Sequence, residues 1–265
     1  MQRVTMDYAL FWDRQSASFE RVPLPERFPR WRFEPAPVEA ERFEPSALSA
    51  LAALTRIDPD VPVYLGPHLI DWDVEHQDWG TDRRTIWGLC QTANGSMSLC
   101  SRGVRMPVAL AVSLRAPDPA YVLAHEMMHI VLKTLPEAEM MGMMCWGDLI
   151  RSLDRYDEVF HSAQHCSFLQ LPEEAEAEAF GLWASRGVHP YRLNDPNARS
   201  VIGNKTGIDL DWVVSFLPVL EDFYAAVLRG DYSARKQVLG QAVPKPRKTF
   251  MDRLRVRFHD RGRRD

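Results

Sequence analysis

Residues 118–134 read DPAYVLAHEMMHIVLKT, and this stretch is the most informative part of the chain. Asp118 followed by Pro119 is typical of a helix start, because Asp caps free backbone amides and Pro suits the first turn. The residues that follow are apolar on nearly every side, which predicts a buried helix to about residue 133. His125 and His129 are four residues apart, so their rings project from one face of that helix.

Two histidines and a glutamate buried in one helix need partners, because burying them unpaired costs several kcal/mol. One zinc ion bound by His125 and His129 would supply those partners, with Glu126 beside a zinc-bound water. Zinc lowers the pKa of such a water to about 7, and a carboxylate takes its proton during attack on a carbonyl. The pattern therefore predicts one Zn²⁺ per chain and Glu126 as general base. A hydrogen-bonded pair of core histidines is the alternative.

A catalytic zinc site of this kind needs a third protein ligand, and residues 172–181, PEEAEAEAFG, open the best candidate helix, predicted to run to about residue 186. Glu174 and Glu178 share a helical face with small residues, which would let two helices approach closely. Glu174 is the predicted ligand, with Glu173 as the fallback, and Glu178 is predicted to hydrogen-bond a ligating histidine. Glu176 is predicted to lie on the surface, and a solvated face is the alternative for the whole run.

These two helices resemble those of the ImmA/IrrE-type metallopeptidases, which are gluzincins. Residues 122–132, VLAHEMMHIVL, are similar to the LAHE..H helix of that family, and residues 174–181, EAEAEAFG, to its E.EA[ND].FA helix. The resemblance covers about residues 46–186 and implies that Glu174 is the third ligand. Family members typically cut a DNA-binding repressor or an immunity regulator, so the resemblance implies a protein substrate of that kind.

The chain departs from the pattern that it resembles at several positions. Glu178 stands where the family usually has Asn or Asp, and Gly181 stands where it usually has Ala. Met128 replaces a usually small residue in the first helix.

The flanking sequence predicts an α+β fold. Residues 85–92 and 96–102 are extended runs on either side of Asn94-Gly95, the strongest short hairpin signal. Residues 61–65 form a further strand candidate. The sheet, with its hairpin, is expected to be small and antiparallel and to pack on the helix that carries the HExxH motif, as in a zincin-like domain.

Further helices and four segments complete the predicted organisation. Helices are expected at 47–57, capped by Ser46, at 137–156, and at 209–228 with a kink at Pro218. The predicted segments are an extended arm rich in Pro and aromatic residues at 1–45, a zincin-like metallopeptidase domain at 46–190, a helical C-terminal region at 191–243 and a basic tail at 244–265.

Other residues are candidates for roles around the zinc. His161 and His165, again four residues apart, and Tyr156 are candidates for stabilising an oxyanion. A second metal pair or a polar face near the site is the alternative for the two histidines. The strand at 96–102 is predicted to hold the substrate by β-addition. The residues assigned to that substrate edge are Ser96, Met97, Ser98, Leu99 and Cys100.

Composition limits the partners. The chain has 265 residues, 26% of them charged, and a net charge of −4, as in an ordinary soluble protein. No segment is typical of a signal peptide or a membrane span, and the four cysteines lack CxxC spacing, so a cytoplasmic location is expected. The acidic main domain is not expected to bind nucleic acid. The basic, amphipathic tail is a candidate contact for a partner, an anionic surface or nucleic acid.

The sequence thus predicts a zinc-dependent endopeptidase that hydrolyses peptide bonds in a specific intracellular protein, with Glu126 activating a zinc-bound water. Two alternatives stay open. One is a catalytically silent protein that keeps a zincin fold for regulation or binding, although a purely structural site would not need Glu126. The other is a zinc hydrolase of a non-peptide amide, for which a closed pocket would be expected instead of an open groove.

Overall fold

The structure is a computed structural model. It describes residues 2–25, 31–59, 61–73, 78–79, 88–92, 107–135, 146–147, 149, 172–207 and 209–232. Within these residues the protein has a mixed α+β fold, as the sequence predicts.

The strands of the described residues are named in chain order. They are β1 (Arg3–Met6), β2 (Tyr8–Asp13), β3 (Ser18–Pro23), β4 (Trp31–Glu34), β5 (Ala36–Glu39), β6 (Val63–Gly66), β7 (His68–Asp73), β8 (Asp78–Trp79), β9 (Gly88–Thr92) and β10 (Pro107–Ser113). The α-helices are α1 (Pro45–Leu54), α2 (Pro119–Thr134), α3 (Pro172–Arg186), α4 (Pro196–Thr206), α5 (Leu210–Val214) and α6 (Leu217–Leu228).

A central sheet joins five of the described strands in the order β3-β2-β6-β10-β9. β2 pairs antiparallel with both β3 and β6, and β10 pairs antiparallel with β9. β6 and β10 are parallel, with Leu110 opposite Val63. A smaller sheet has the order β4-β7-β8, and β1 pairs with β5. The single parallel pair makes the central sheet mixed, whereas the sequence predicts an antiparallel one.

The central sheet lies between a helical layer and the smaller sheet. Along β10, Leu110 and Val112 are buried in the core that contains α2, whereas Ala109 and Ala111 are buried against residues of the smaller sheet. This division follows from the alternation of side chains along a strand. The small alanines leave room on the second face for Trp31, which is fully buried.

The strand pairings correct the prediction that residues 1–45 form an extended arm. β1 to β5 lie in this segment, and β2 pairs with β6 inside the central sheet. The turn between β2 and β3 contains Ala17 with a φ of 50°, in the left-handed region that Gly or Asn usually occupies. Because neither residue type is present at that position, the hairpin has no recognisable turn signal in the sequence.

The predicted hairpin around residues 94–95 lies only partly in the described residues. β9 falls within the predicted strand 85–92, and its described partner is β10. β10 was not predicted from the sequence, because its continuous apolar run reflects burial on both faces and not alternation. The predicted strand at 96–102 lies outside the described residues.

The two helices of the predicted site are where the sequence places them. In α2, Asp118 caps the helix, because its Oδ1 accepts a hydrogen bond from the backbone N–H of Tyr121 at 3.0 Å. α1 begins at Pro45 after Glu44 and is not capped by Ser46. The single kinked helix predicted at 209–228 is two helices, α5 and α6, separated at residues 215–216. The helix predicted at 137–156 lies almost entirely outside the described residues.

The prediction that Glu176 lies on the surface is wrong. Glu176 is fully buried, and the hydroxyl of Tyr224 on α6 donates a hydrogen bond to its Oε1 at 2.7 Å. Its Oε2 is also buried and has no hydrogen-bond partner among the described residues. α3 is therefore covered on two faces, by α2 on one side and by α6 on the other. The cover of the second face comes from α6, where Tyr224 lies 48 residues after Glu176, so the α3 sequence alone does not reveal it.

Burial raises the pKa of Glu176 well above its usual value, although the hydrogen bond from Tyr224 acts in the opposite direction. The folded protein therefore holds a proton that the unfolded chain releases above a pH of about 4.5. We therefore expect stability to fall as pH rises from there towards the folded pKa, because the unfolded chain loses this proton first.

Glu176→Gln should weaken this loss of stability with pH, because an amide cannot ionise. We expect the variant to be more stable than wild type at pH 7–8 and close to it near pH 4.5, measured as the free energy of unfolding in urea. The exposed Glu41→Gln is the matched control and should follow wild type throughout. A constant offset between wild type and Glu176→Gln at all pH values would contradict the buried proton.

Candidate metal centre

Three potential metal ligands converge where α2 packs against α3. The Nε2 atoms of His125 and His129 are 3.2 Å apart. The Oε2 atom of Glu174 lies 3.3 Å from Nε2 of His125 and 3.5 Å from Nε2 of His129. The structure thus brings together the three side chains that the sequence analysis selects as ligands, and this His-His-Glu group could hold a metal ion.

The spacing of these atoms fits a zinc ion. Zinc binds imidazole nitrogen and carboxylate oxygen at about 2.0–2.2 Å in tetrahedral sites, so two of its ligand atoms lie roughly 3.3–3.6 Å apart. The three distances of 3.2–3.5 Å in this group are close to that spacing. Two histidines and one glutamate are also a donor set found in catalytic zinc sites, which leave a further position open.

The electrostatics of the group favour a cation. Burial alone would raise the pKa of Glu174, but hydrogen bonds from His125 and His129 outweigh it and hold that pKa below its usual value. Burial would likewise lower the pKa of His125, yet the carboxylates of Glu174, Glu126 and Glu178 outweigh it and raise that pKa. The site therefore stabilises positive charge among its carboxylates.

Glu126 lies between the ligand group and the central sheet. A Cβ atom on Gly88 of β9 would be 3.0 Å from both Cγ and Oε1 of Glu126 and 2.4 Å from Cγ1 of Val122. A side chain at position 88 would therefore collide with α2, and the glycine lets the β9 backbone lie directly against the predicted base. The negative charge of Glu126 also contributes to the raised pKa of His125.

Glu178 lies behind His125, on the side away from the other two ligands. Its Oε2 atom is 3.7 Å from Nδ1 of His125, which is longer than a hydrogen bond. The same Oε2 accepts a hydrogen bond from the hydroxyl of Tyr121. Nδ1 of His125 is buried with no hydrogen-bond partner among the described residues. The predicted hydrogen bond between a ligating histidine and Glu178, with the ring N–H as donor, is thus not formed in this structure, although the two groups face each other.

Tyr121 is a site residue that the sequence analysis missed. It lies four residues before His125 on the same face of α2, and this spacing was a signal that could have revealed it. Burial, followed by the charge of Glu178, raises its pKa, so the hydroxyl keeps its proton and remains a donor.

The remaining predicted site residues are not part of the described group. Glu173, the fallback ligand, is buried and does not belong to the His-His-Glu group. The candidate oxyanion residues His161, His165 and Tyr156 lie outside the described residues, and so does the tail at 244–265. The same holds for the predicted substrate edge, Ser96, Met97, Ser98, Leu99 and Cys100.

Comparison of the chain with models of protein families, with curated proteins and with solved structures finds no match in any of the three. The resemblance to ImmA/IrrE-type metallopeptidases therefore stays a prediction that depends on the two helices alone. Within the described residues, no helix combines the length and apolar character needed to cross a membrane. The cytoplasmic location also stays a prediction.

The ligand assignment can be tested with two neighbouring glutamates. Glu174→Gln should remove most of the bound zinc, because two histidines alone hold the ion poorly, whereas Glu173→Gln should retain about one zinc per chain. Metal content is measured by plasma mass spectrometry on purified protein, with circular dichroism as the check that each variant is folded. Zinc lost from Glu173→Gln and kept in Glu174→Gln would transfer the ligand role to Glu173.

Proposed function

We propose that this protein is a zinc-dependent endopeptidase that hydrolyses peptide bonds in a specific intracellular protein. The observation that carries the proposal is the His125, His129 and Glu174 group with Glu126 beside it on the same helix. The ligand spacing supports one zinc ion per chain, and the zincin-like character of the domain belongs to the same proposal.

Each side chain has a distinct task in this proposal. His125, His129 and Glu174 hold the metal, which when bound makes water more acidic and polarises a carbonyl oxygen. Glu126 accepts the proton of the attacking water and transfers it to the leaving amine, as a general base and then a general acid. The position of Glu126 between His125 and Gly88 suits this task, because its carboxylate lies close both to the ligand group and to β9, the outermost described strand at this end of the sheet.

The substrate is proposed to bind along the side of the sheet where β9 lies. β9 is the outermost strand at this end of the sheet among the described residues, and its backbone passes directly beside Glu126. An extended peptide bound parallel or antiparallel to the strands on this side would place its carbonyl groups next to the ligand group, where a water activated by Glu126 would attack. The segment 96–102, which follows β9 in the chain, keeps its predicted role as the substrate edge.

Glu126 also separates this proposal from a silent zincin-like protein. A site that binds metal only for structure is usually closed by four protein ligands and needs no base. Here three ligand side chains are grouped and a carboxylate lies beside them. This arrangement favours hydrolysis over a purely structural role.

Glu126→Gln should keep its zinc and fold but lose peptidase activity by about 10²- to 10⁴-fold, because the proton acceptor is lost while the ligands remain. Activity is measured as cleavage of a randomised library of fluorogenic peptides by zinc-loaded protein. Wild type stripped by a chelator and then reloaded with zinc is the control for metal dependence.

Two outcomes would contradict the proposal. Cleavage by Glu126→Gln at nearly the wild-type rate would show that another group is the base. Hydrolysis of small non-peptide amides by zinc-loaded wild type, with every peptide left intact, would favour the alternative hydrolase.

A further inference from the structure

Tyr121 connects the ligand-bearing helix α2 to the carboxylate behind its first histidine. Its hydroxyl donates a hydrogen bond to Oε2 of Glu178 on α3. That oxygen is 3.7 Å from Nδ1 of His125, the ring nitrogen on the side away from Glu174. The aromatic ring of Tyr121 is also close to the imidazole, with 6.2 Å between their centroids. The hydroxyl therefore binds the same carboxylate oxygen that faces the histidine.

The ring of Tyr121 occupies a space that the chain leaves open for it. A Cβ atom on Gly181 would lie 2.9 Å and 3.0 Å from two ring carbons and 3.2 Å from the backbone oxygen of Tyr121. The space next to Gly181 thus fits an aromatic ring only because position 181 has no side chain.

A charged pair also lies near the ring. The guanidinium of Arg186 lies 5.6 Å from the centroid of the Tyr121 ring, a cation–π distance. Nε of Arg186 is also 3.1 Å from Oδ2 of Asp118, the residue that caps α2. The ring of Tyr121 on α2 is therefore in contact with both Gly181 and Arg186 of α3.

Two residues of α3 meet at this tyrosine. Glu178 accepts the hydrogen bond of its hydroxyl, and Gly181 lies against its ring. The glycine admits the ring, and the glutamate side chain carries its carboxylate to the hydroxyl. Both residues thus belong to one arrangement around Tyr121.

We propose that Tyr121 is a positioning residue for the metal centre. By fixing the carboxylate of Glu178 opposite Nδ1 of His125, it holds the imidazole with Nε2 directed at the ion. A carboxylate that accepts the second N–H of a ligating histidine fixes the ring and strengthens its bond to the metal. Oε2 of Glu178 faces Nδ1 of His125 at 3.7 Å, so a small approach of the two groups would form that hydrogen bond. This inference depends on the metal centre of the proposed function but not on its peptidase activity.

The chain contains a matched control for the proposal. Tyr224 donates to Glu176 at 2.7 Å on the opposite face of α3, so a second Tyr–Glu hydrogen bond lies on the same helix without facing the ligand group. Removing either hydroxyl by Tyr→Phe deletes the same atom, from a partly buried ring at Tyr121 and from a fully buried ring at Tyr224. Only the Tyr121 hydroxyl reaches a carboxylate that faces His125.

The test is the zinc affinity of purified full-length protein, measured by competition with a chromogenic chelator. Tyr121→Phe should weaken zinc binding by about tenfold, and Glu178→Gln by about 10- to 100-fold, as for groups that hold a ligating histidine. Tyr224→Phe should leave the affinity within about twofold of wild type. The double variant Tyr121→Phe/Glu178→Gln should bind zinc no more weakly than Glu178→Gln alone, because both changes interrupt one chain of contacts.

A second variant keeps the test independent of the hydroxyl deletion. Gly181→Ala retains the hydroxyl but displaces the ring, and alanine has the higher helix propensity, so weaker zinc binding there would not reflect a weaker helix. We expect Gly181→Ala to lose zinc affinity as Tyr121→Phe does.

Three results would overturn the inference. Wild-type affinity in Tyr121→Phe would show that the hydroxyl positions nothing. An equal loss in Tyr224→Phe, or full additivity with Glu178→Gln, would assign the effect to general stability. A wild-type protein that binds no zinc would overturn the proposed function together with this inference, whereas zinc binding without peptide cleavage would contradict only the proposed function.

Discussion

The close packing of α2 against α3 is the contact on which the site depends. It places two imidazole nitrogens and a carboxylate oxygen within 3.5 Å of one another. Lone pairs at such distances are stable together only when a proton or a cation lies among them. Arg186 of α3 also contacts two residues of α2, the capping residue Asp118 and the ring of Tyr121. These contacts help to hold the two helices in register. The chemistry proposed for the protein therefore depends on how α2 packs against α3.

Local signals in the sequence predict the centre of this arrangement well. The Asp118-Pro119 start and the spacing of His125 and His129 define α2, and the stripe of small residues selects Glu174 correctly as the carboxylate that faces the histidines. These predictions succeed because helix periodicity and capping depend on residues only a few positions apart.

The failures have a common cause, which is that they depend on distant parts of the chain. The sequence next to Glu176 is like that next to the other glutamates of α3, so it does not predict burial. The burial of Glu176 depends on α6, where Tyr224 donates a hydrogen bond to it. β10 is covered by helices on one face and by the smaller sheet on the other, so its sequence lacks the alternation of a surface strand. The turn between β2 and β3 has Ala17 in the left-handed region, so no glycine or asparagine at that position predicts the hairpin.

The parallel pairing of β6 with β10 has a consequence for the order of folding. These strands are far apart in sequence, and the loop between them must close before they can pair with each other, which slows folding. α2 follows β10 directly, but α3 is synthesised later still. A chain emerging from the ribosome therefore carries its two histidines well before Glu174 exists. Under the proposed function, metal capture would therefore be a late event of maturation, because an ion bound by all three ligands stabilises only the finished fold.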